Sequence, residues 1–155
     1  MIQRIQTLYL LFSLMSCCVL LYLPMGSVAG HAEISYYING FSVAEDPESF
    51  YLNYYLSALL GLLMIIQFIS VFNFKNRKRQ VILVQISLIL IVALAVAIML
   101  YPDYVGMPAQ ISAPDYTIEF NWNILFIALP WFFTYLAIRA IKKDEALVRS
   151  ADRMR

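Results

Sequence analysis

The run Asn73-Phe74-Lys75-Asn76-Arg77-Lys78-Arg79-Gln80 decides how this chain is arranged. It carries four basic residues and separates two long stretches without a charged side chain, one between Glu48 and Lys75, the other between Arg79 and Asp103. Working outward, two more such stretches lie between Arg4 and Glu33 and between Glu119 and Arg139. Crossing the hydrocarbon core of a bilayer takes about 20 helical residues at about 1.5 Å each. All four gaps are long enough. Trimmed of polar and turn residues, they predict helices over residues 5–24, 53–73, 81–101 and 122–141, with loops at 25–52, 74–80 and 102–121 and a tail at 142–155.

Composition agrees with this reading. In 155 residues, 62% of side chains are hydrophobic and 14% charged, with a mean hydropathy of +0.72. That is too apolar for a water-soluble domain with one core, so a bilayer is the expected solvent. The net charge of +1 hides a strong asymmetry. All 11 Lys and Arg residues lie before the first predicted span (Arg4), in the central loop (Lys75, Arg77, Lys78, Arg79), or from Arg139 onward, where Lys142 and Lys143 lead the tail. The other two loops hold seven acids, Glu33, Glu45, Asp46, Glu48, Asp103, Asp115 and Glu119, against three on the basic side, Asp144, Glu145 and Asp152. The balance is 11 − 3 = +8 against −7. Loops rich in Lys and Arg stay in the cytoplasm, so both termini and residues 74–80 are expected inside and both acidic loops outside. Met1-Ile2-Gln3-Arg4 with its apolar run could be read as a secretory signal, and Leu14-Met15-Ser16-Cys17 loosely as a lipoprotein cleavage box. The apolar run continues past Cys17 to Leu23, however, and an uncleaved first helix is expected.

Several local patterns add detail. In the first acidic loop, Ile34-Ser35-Tyr36-Tyr37-Ile38 and Phe41-Ser42-Val43 flank Asn39-Gly40, a strong hairpin signal because both turn residues tolerate positive φ. Tyr116-Thr117-Ile118-Glu119-Phe120 could add a third strand, which an otherwise marginal hairpin needs. Asn53 is the expected N-cap of the second helix. Gln67 and Gln85 each lie about two turns from the basic loop and are expected to meet as an interhelical hydrogen bond. Pro130 predicts a kink near residues 126–130. Cys17 and Cys18 point about 100 degrees apart on a helix and read as packing residues. Nine of the 11 tyrosines fall at the outer boundary or in the outer loops, as an aromatic belt does. Among the aromatic residues there, Tyr36, Tyr37, Phe41, Tyr51, Tyr104 and Tyr116 are the candidates for contact with a partner protein. The similar ends of the first and third helices, Tyr22-Leu23-Pro24 and Tyr101-Pro102-Asp103, suggest two helical hairpins packed two plus two.

No charged or histidine side chain sits deep in a predicted span, so no proton relay is indicated. The sole histidine, His31, falls short of the axial pair a membrane b-type haem requires. No phosphate-cradling glycine loop, nucleophile elbow or zinc motif occurs. No cofactor, no metal and no nucleic-acid partner are expected. Met1-Ile2-Gln3-Arg4-Ile5-Gln6-Thr7-Leu8-Tyr9-Leu10, the four-span layout, the loop ending Arg77-Lys78-Arg79-Gln80 and a fourth helix with Pro130 and Trp131 together resemble a bacterial family of small four-pass inner-membrane proteins catalogued only as a domain of unknown function. The resemblance covers essentially the whole chain. It implies a bacterial cytoplasmic membrane and the same topology, and it brings no activity and no functional residue.

The expected architecture is an all-α four-transmembrane-helix bundle, both termini cytoplasmic, with a small extracytoplasmic β-hairpin cap. The expected role is a non-catalytic accessory or scaffold subunit whose partners are the lipid bilayer and another membrane protein or a second copy. The alternative is a small transporter or channel for a neutral or hydrophobic solute, suggested by Gln67, Gln85, Ser87, Thr134 and Pro130.

Overall fold

The computed structural model describes residues 3–28, 31–43, 50–105 and 118–153. Helices form on the charge-free stretches: α1 (Gln3–Leu20), α2 (Tyr54–Phe72), α3 (Arg77–Val105) and α4 (Ala128–Arg153). Along each, buried positions alternate steps of three and four residues. On α1 they are Gln6, Leu10, Ser13, Cys17 and Leu20; on α2, Leu56, Leu60, Leu63, Gln67 and Ser70; on α3, Gln80, Val84, Ser87, Ile91, Leu94 and Ile98. α4 keeps the same rhythm through Pro130, Thr134, Ala137, Ile141 and Asp144. A step averaging 3.5 residues keeps one seam turned toward neighbouring helices. α1 packs against α4 and α2, and α3 against α2 and α4. Each hairpin, α1 with α2 and α3 with α4, is packed, and the two meet through α1 with α4 and α2 with α3, the most extensive contact being that of α1 with α4. Among the described residues, three helices are long and apolar enough to cross a membrane: α2, residues 77–101 of α3, and residues 122–147 leading into and along α4. The apolar part of α1, Ile5–Leu20, is shorter. By length and composition this is a multi-pass membrane protein.

Helix boundaries differ from those expected for local reasons. α1 stops at Leu20, short of Pro24. The connection at 74–80 contracts to a 3-10 turn, Asn73–Lys75, followed by Asn76. The Asn73 side-chain amide donates to the Ile69 carbonyl at 3.0 Å, and the Asn76 carbonyl accepts the Gln80 N–H at 3.0 Å. Together these bonds close α2 and open α3, so Arg77, Lys78 and Arg79 belong to the first turn of α3. Before α4 the chain forms a 3-10 helix, Trp122–Ile127, that passes directly into α4, so the helix changes type within the stretch 126–130 and Pro130 lies in the first α-helical turn. Pro130, which cannot donate, follows directly after the change from 3-10 to α geometry at 127/128.

At the end of the helices away from the basic residues lies an antiparallel sheet of five strands, β1 (Gly26–Val28), β2 (His31–Tyr37), β3 (Gly40–Val43), β4 (Phe50–Leu52) and β5 (Ile118–Phe120), in the order β4-β3-β2-β1-β5. The predicted hairpin is present with its turn one residue earlier. Tyr37 pairs with Gly40, leaving Ile38-Asn39 as the turn. Ile34 and Tyr36 share the inward face of β2 by the period of two, and Ile38 in the turn is buried beside them. The Asn39 carbonyl then accepts the Asn53 N–H at 2.8 Å. Asn53 caps α2 as expected, its side-chain oxygen accepting the Leu56 N–H at 3.3 Å. The stretch at 118–120 does join the sheet, but beside β1 and not beside the hairpin. The sheet's apolar face, with Met25, Val28, Ile34, Tyr36, Ile38 and Phe41, forms one core with Leu20, Leu56, Leu60, Ile98 and Ile127 at the helix ends. That cover stabilises strands too short to stand alone.

Tyr36 links the sheet to α3. Its hydroxyl donates to the Ile98 carbonyl at 3.2 Å. Pro102, four residues on, has no N–H for that carbonyl, and the phenol replaces the missing helical bond. Burial, together with nearby Tyr101, pushes the Tyr36 phenol above its ordinary range, so it keeps the proton it donates. Tyr36→Phe is expected to cost about 1–2 kcal/mol by orphaning the Ile98 carbonyl, read as a lower unfolding midpoint in detergent. A Cβ at Gly26 would sit 2.7 Å from the Glu119 carbonyl oxygen, a backbone atom that cannot yield without parting β1 from β5. Gly26→Ala should therefore cost about 1–3 kcal/mol and speed amide exchange in β5. Gly61, with open space around it, should tolerate alanine or gain up to about 1 kcal/mol.

Candidate functional site

The most concentrated chemistry in the helical region is a buried knot of Ser13 from α1, Gln67 from α2 and Thr134 from α4. All three occupy inward positions of the three-and-four spacing. The Gln67 amide nitrogen lies 2.8 Å from Ser13 Oγ and 3.4 Å from Thr134 Oγ1, and the two hydroxyls are 2.8 Å apart. Ser13 Oγ also lies 3.1 Å from the Pro130 carbonyl, and Cys17 Sγ 3.8 Å from Gln67 Oε1. One proton assignment uses every donor. Gln67 donates to Ser13 and Thr134, Thr134 to Ser13, Ser13 to the Pro130 carbonyl, and Cys17 to Gln67. Ser13 then accepts on both lone pairs and donates once, which makes it the hub. None of these groups carries charge, and no nucleophile is paired with a base. What the arrangement does is tie three helices together in a medium without competing water.

Gln85 does not take part. Position 84 faces inward and 85 lies about 100 degrees round the helix, so Gln85 is exposed on the outer surface of α3 and the expected pairing with Gln67 is not made. Gln80 is the buried glutamine of α3; its amide donates to the Ser70 carbonyl at 3.1 Å, joining α3 to α2. Ser70 and Ser87 bond back to carbonyls of their own helices, Ile66 and Leu83. Sequence reasoning missed Ser13 and took Cys17 only as packing. The missing signal was depth combined with face: Ser13, Gln67 and Thr134 each lie roughly one to three turns from the basic end of their helices and each falls on the seam.

That basic end has contacts of its own. Arg77 approaches Asp144 at 3.3 Å, and Gln6 donates to the Ala140 carbonyl at 3.3 Å. Arg77 stands in the first turn of α3, where a cation opposes the helix dipole, and its pairing with Asp144 offsets that cost. Lys78, Arg79, Arg139, Lys142 and Lys143 are exposed at this end of the helices; the side chains of Arg4 and Lys75 lie outside the described residues.

The candidate partner contacts separate. Tyr36 and Phe41 are fully buried and stacked, ring centroids 5.1 Å apart, and are core residues and not contact residues. Their inward direction follows from the sheet lying on the helix ends. Tyr37 and Tyr51 remain half-exposed. Tyr116, the Tyr104 ring and the acids Glu45, Asp46, Glu48 and Asp115 lie outside the described residues. The strongly exposed aromatic residues at this end are Tyr22 (81%), Tyr54 (73%), Tyr55 (72%) and Trp122 (84%), at the ends of α1, α2 and the turn before α4. Among the described residues no three of His, Cys, Asp or Glu are grouped as metal ligands.

If Ser13 is the hub, Ser13→Ala strands one Gln67 N–H and the Thr134 hydroxyl, whereas Gln67→Leu strands only a weak thiol donor. Expected losses are about 1–2 kcal/mol for Ser13→Ala and about 0.6 kcal/mol for Gln67→Leu. Denaturant titration in detergent checks the order, and the reverse order would show that the hub is misassigned.

Residues 2–154 match the family described as Domain of unknown function (DUF4293), and the chain belongs to that family. No curated protein and no solved structure matches it.

Proposed function

From membership of a family without an assigned activity, we propose that this protein is a non-catalytic accessory or scaffold subunit of the bacterial inner membrane. It is a four-helix bundle with both termini and the basic end in the cytoplasm and the sheet as an extracytoplasmic cap. The division of +8 against −7 supports the orientation. The exposed aromatic residues at the sheet end suit the opposite interface, where an apolar ring with a polar tip is at home.

The observation that carries the reading is the closed hydrogen bonding of Ser13, Gln67 and Thr134. A transporter or channel for a neutral solute needs such groups turned toward an open path; here they are engaged with one another, and Gln85 faces outward. A frame held this way acts through its surfaces, the lipid-facing helix sides and the outer face of the cap with Tyr37 and Tyr51, toward another membrane protein or a second copy.

Affinity purification of the full chain from native membranes in mild detergent, followed by mass spectrometry and native sizing, tests this. One membrane protein recovered in stoichiometric amount, or a defined homo-oligomer lost on replacing Tyr37 and Tyr51 with Ser, is the expected result. A lone monomer with no stoichiometric companion would end the scaffold reading.

A further inference from the structure

The cations that fix topology are arranged for more than topology. Arg139, Lys142 and Lys143 follow one another at i, i+3 and i+4 on α4, so they share one face within about a turn. That face borders a groove against α1 of about 670 Å³, whose apolar floor includes Ile5, Tyr9 and Leu136. Sites for small organic ligands commonly measure about 300–1,000 Å³. All three cations are exposed. The apolar stretch that contains the groove runs over residues 122–147, and its three cations lie in the last two to three turns of it, level with Ile5 of α1, while Tyr9 and Leu136 lie deeper in the apolar part. A positive rim over an apolar trough at that depth matches a molecule that is anionic at its head and hydrocarbon below.

We propose that this groove binds an anionic membrane phospholipid, its phosphate held by Arg139, Lys142 and Lys143 and the upper part of an acyl chain lying along Ile5, Tyr9 and Leu136. Basic pockets between helices on the cytoplasmic side of a membrane are suited to such head groups. The inference rests on the membrane reading and its orientation, not on the scaffold role, and a protein that purifies alone could hold the lipid equally well. The site is separate from the Ser13–Gln67–Thr134 knot, so its loss leaves the helix ties in place.

The test uses the full chain in mild detergent, titrated with phosphatidylglycerol or phosphatidylcholine and analysed for retained lipid by native mass spectrometry. Phosphatidylglycerol should be retained about tenfold better than phosphatidylcholine. The triple variant R139Q/K142Q/K143Q should lose that preference, while K78Q/R79Q, which removes exposed cations outside the groove, keeps it. Should the triple variant fail to fold, Leu136→Trp fills the floor without touching charge and should reduce retention severalfold. Equal retention of both lipids overturns the proposal, as does equal loss in K78Q/R79Q, which would indicate diffuse surface charge. Displacement of the lipid by millimolar inorganic phosphate also overturns it, since the head group alone would then account for binding. Unchanged retention in Leu136→Trp does the same for the acyl trough.

Discussion

An apolar solvent offers a hydroxyl or an amide nothing to bond, and the interior of this protein is arranged around that constraint. Gln67 brings two N–H donors into the helical seam, and both are used, on Ser13 and Thr134. Ser13 passes the last proton to a backbone carbonyl, so the chain of donors ends on an acceptor. The geometry requires three helices at one depth with the right faces inward; slide or turn any of them and a donor is stranded. Apolar seam residues would tolerate such a slip much better. The polar knot therefore fixes register, while most of the packing energy comes from its apolar neighbours.

Those neighbours are not spread evenly. Toward the sheet the seam is Leu20, Leu56, Leu60, Leu63, Ile91, Leu94, Ile98 and Ile127, continuous with the apolar face of the sheet. Toward the basic end it is mixed: Gln6, Ser13, Gln67, Ser70, Gln80, Ser87, Thr134 and Asp144 share it with a smaller apolar cluster around Leu10, Val84 and Ile141. The sheet is thus an extension of the apolar half of the helices and not an appended module. Tyr36 makes the join specific. Its phenol satisfies the carbonyl that Pro102 leaves free, and neither residue's role is intelligible without the other.

The helices were legible in the sequence because a charge-free stretch of sufficient length has one cheap conformation in lipid, and the two ends because Lys and Arg fall on one side alone. The hairpin was legible through Asn39-Gly40, but its register depended on burying Ile38 against helix ends that no local pattern reveals. β1 and β4 are three residues long, too short to show alternation, and they exist because β2, β3 and β5 offer them partners. The choice of Gln85 as the partner of Gln67 rested on depth alone. Facing is set by the seam, which steps 80, 84, 87, 91, and a count from the nearest buried residue separates Gln80 from Gln85. Tyr36 and Phe41 looked like surface aromatics for a related reason: an alternating strand has two equivalent faces until something covers one of them.

In the orientation proposed above, with the basic end and the sheet end at opposite interfaces, the vertical position of the molecule would have little freedom. Exposed Tyr22, Tyr54, Tyr55 and Trp122 ring the sheet end, and exposed Lys78, Arg79, Arg139, Lys142 and Lys143 stand at the other. Sliding along the membrane normal would draw cations into hydrocarbon or lift rings away from the interface, and each movement is unfavourable. Turning α1 or α4 about its own axis would break the Ser13 contacts. A body held in that way against translation by its ends, and against helix rotation by its knot, keeps its outward helix faces and grooves at constant shape.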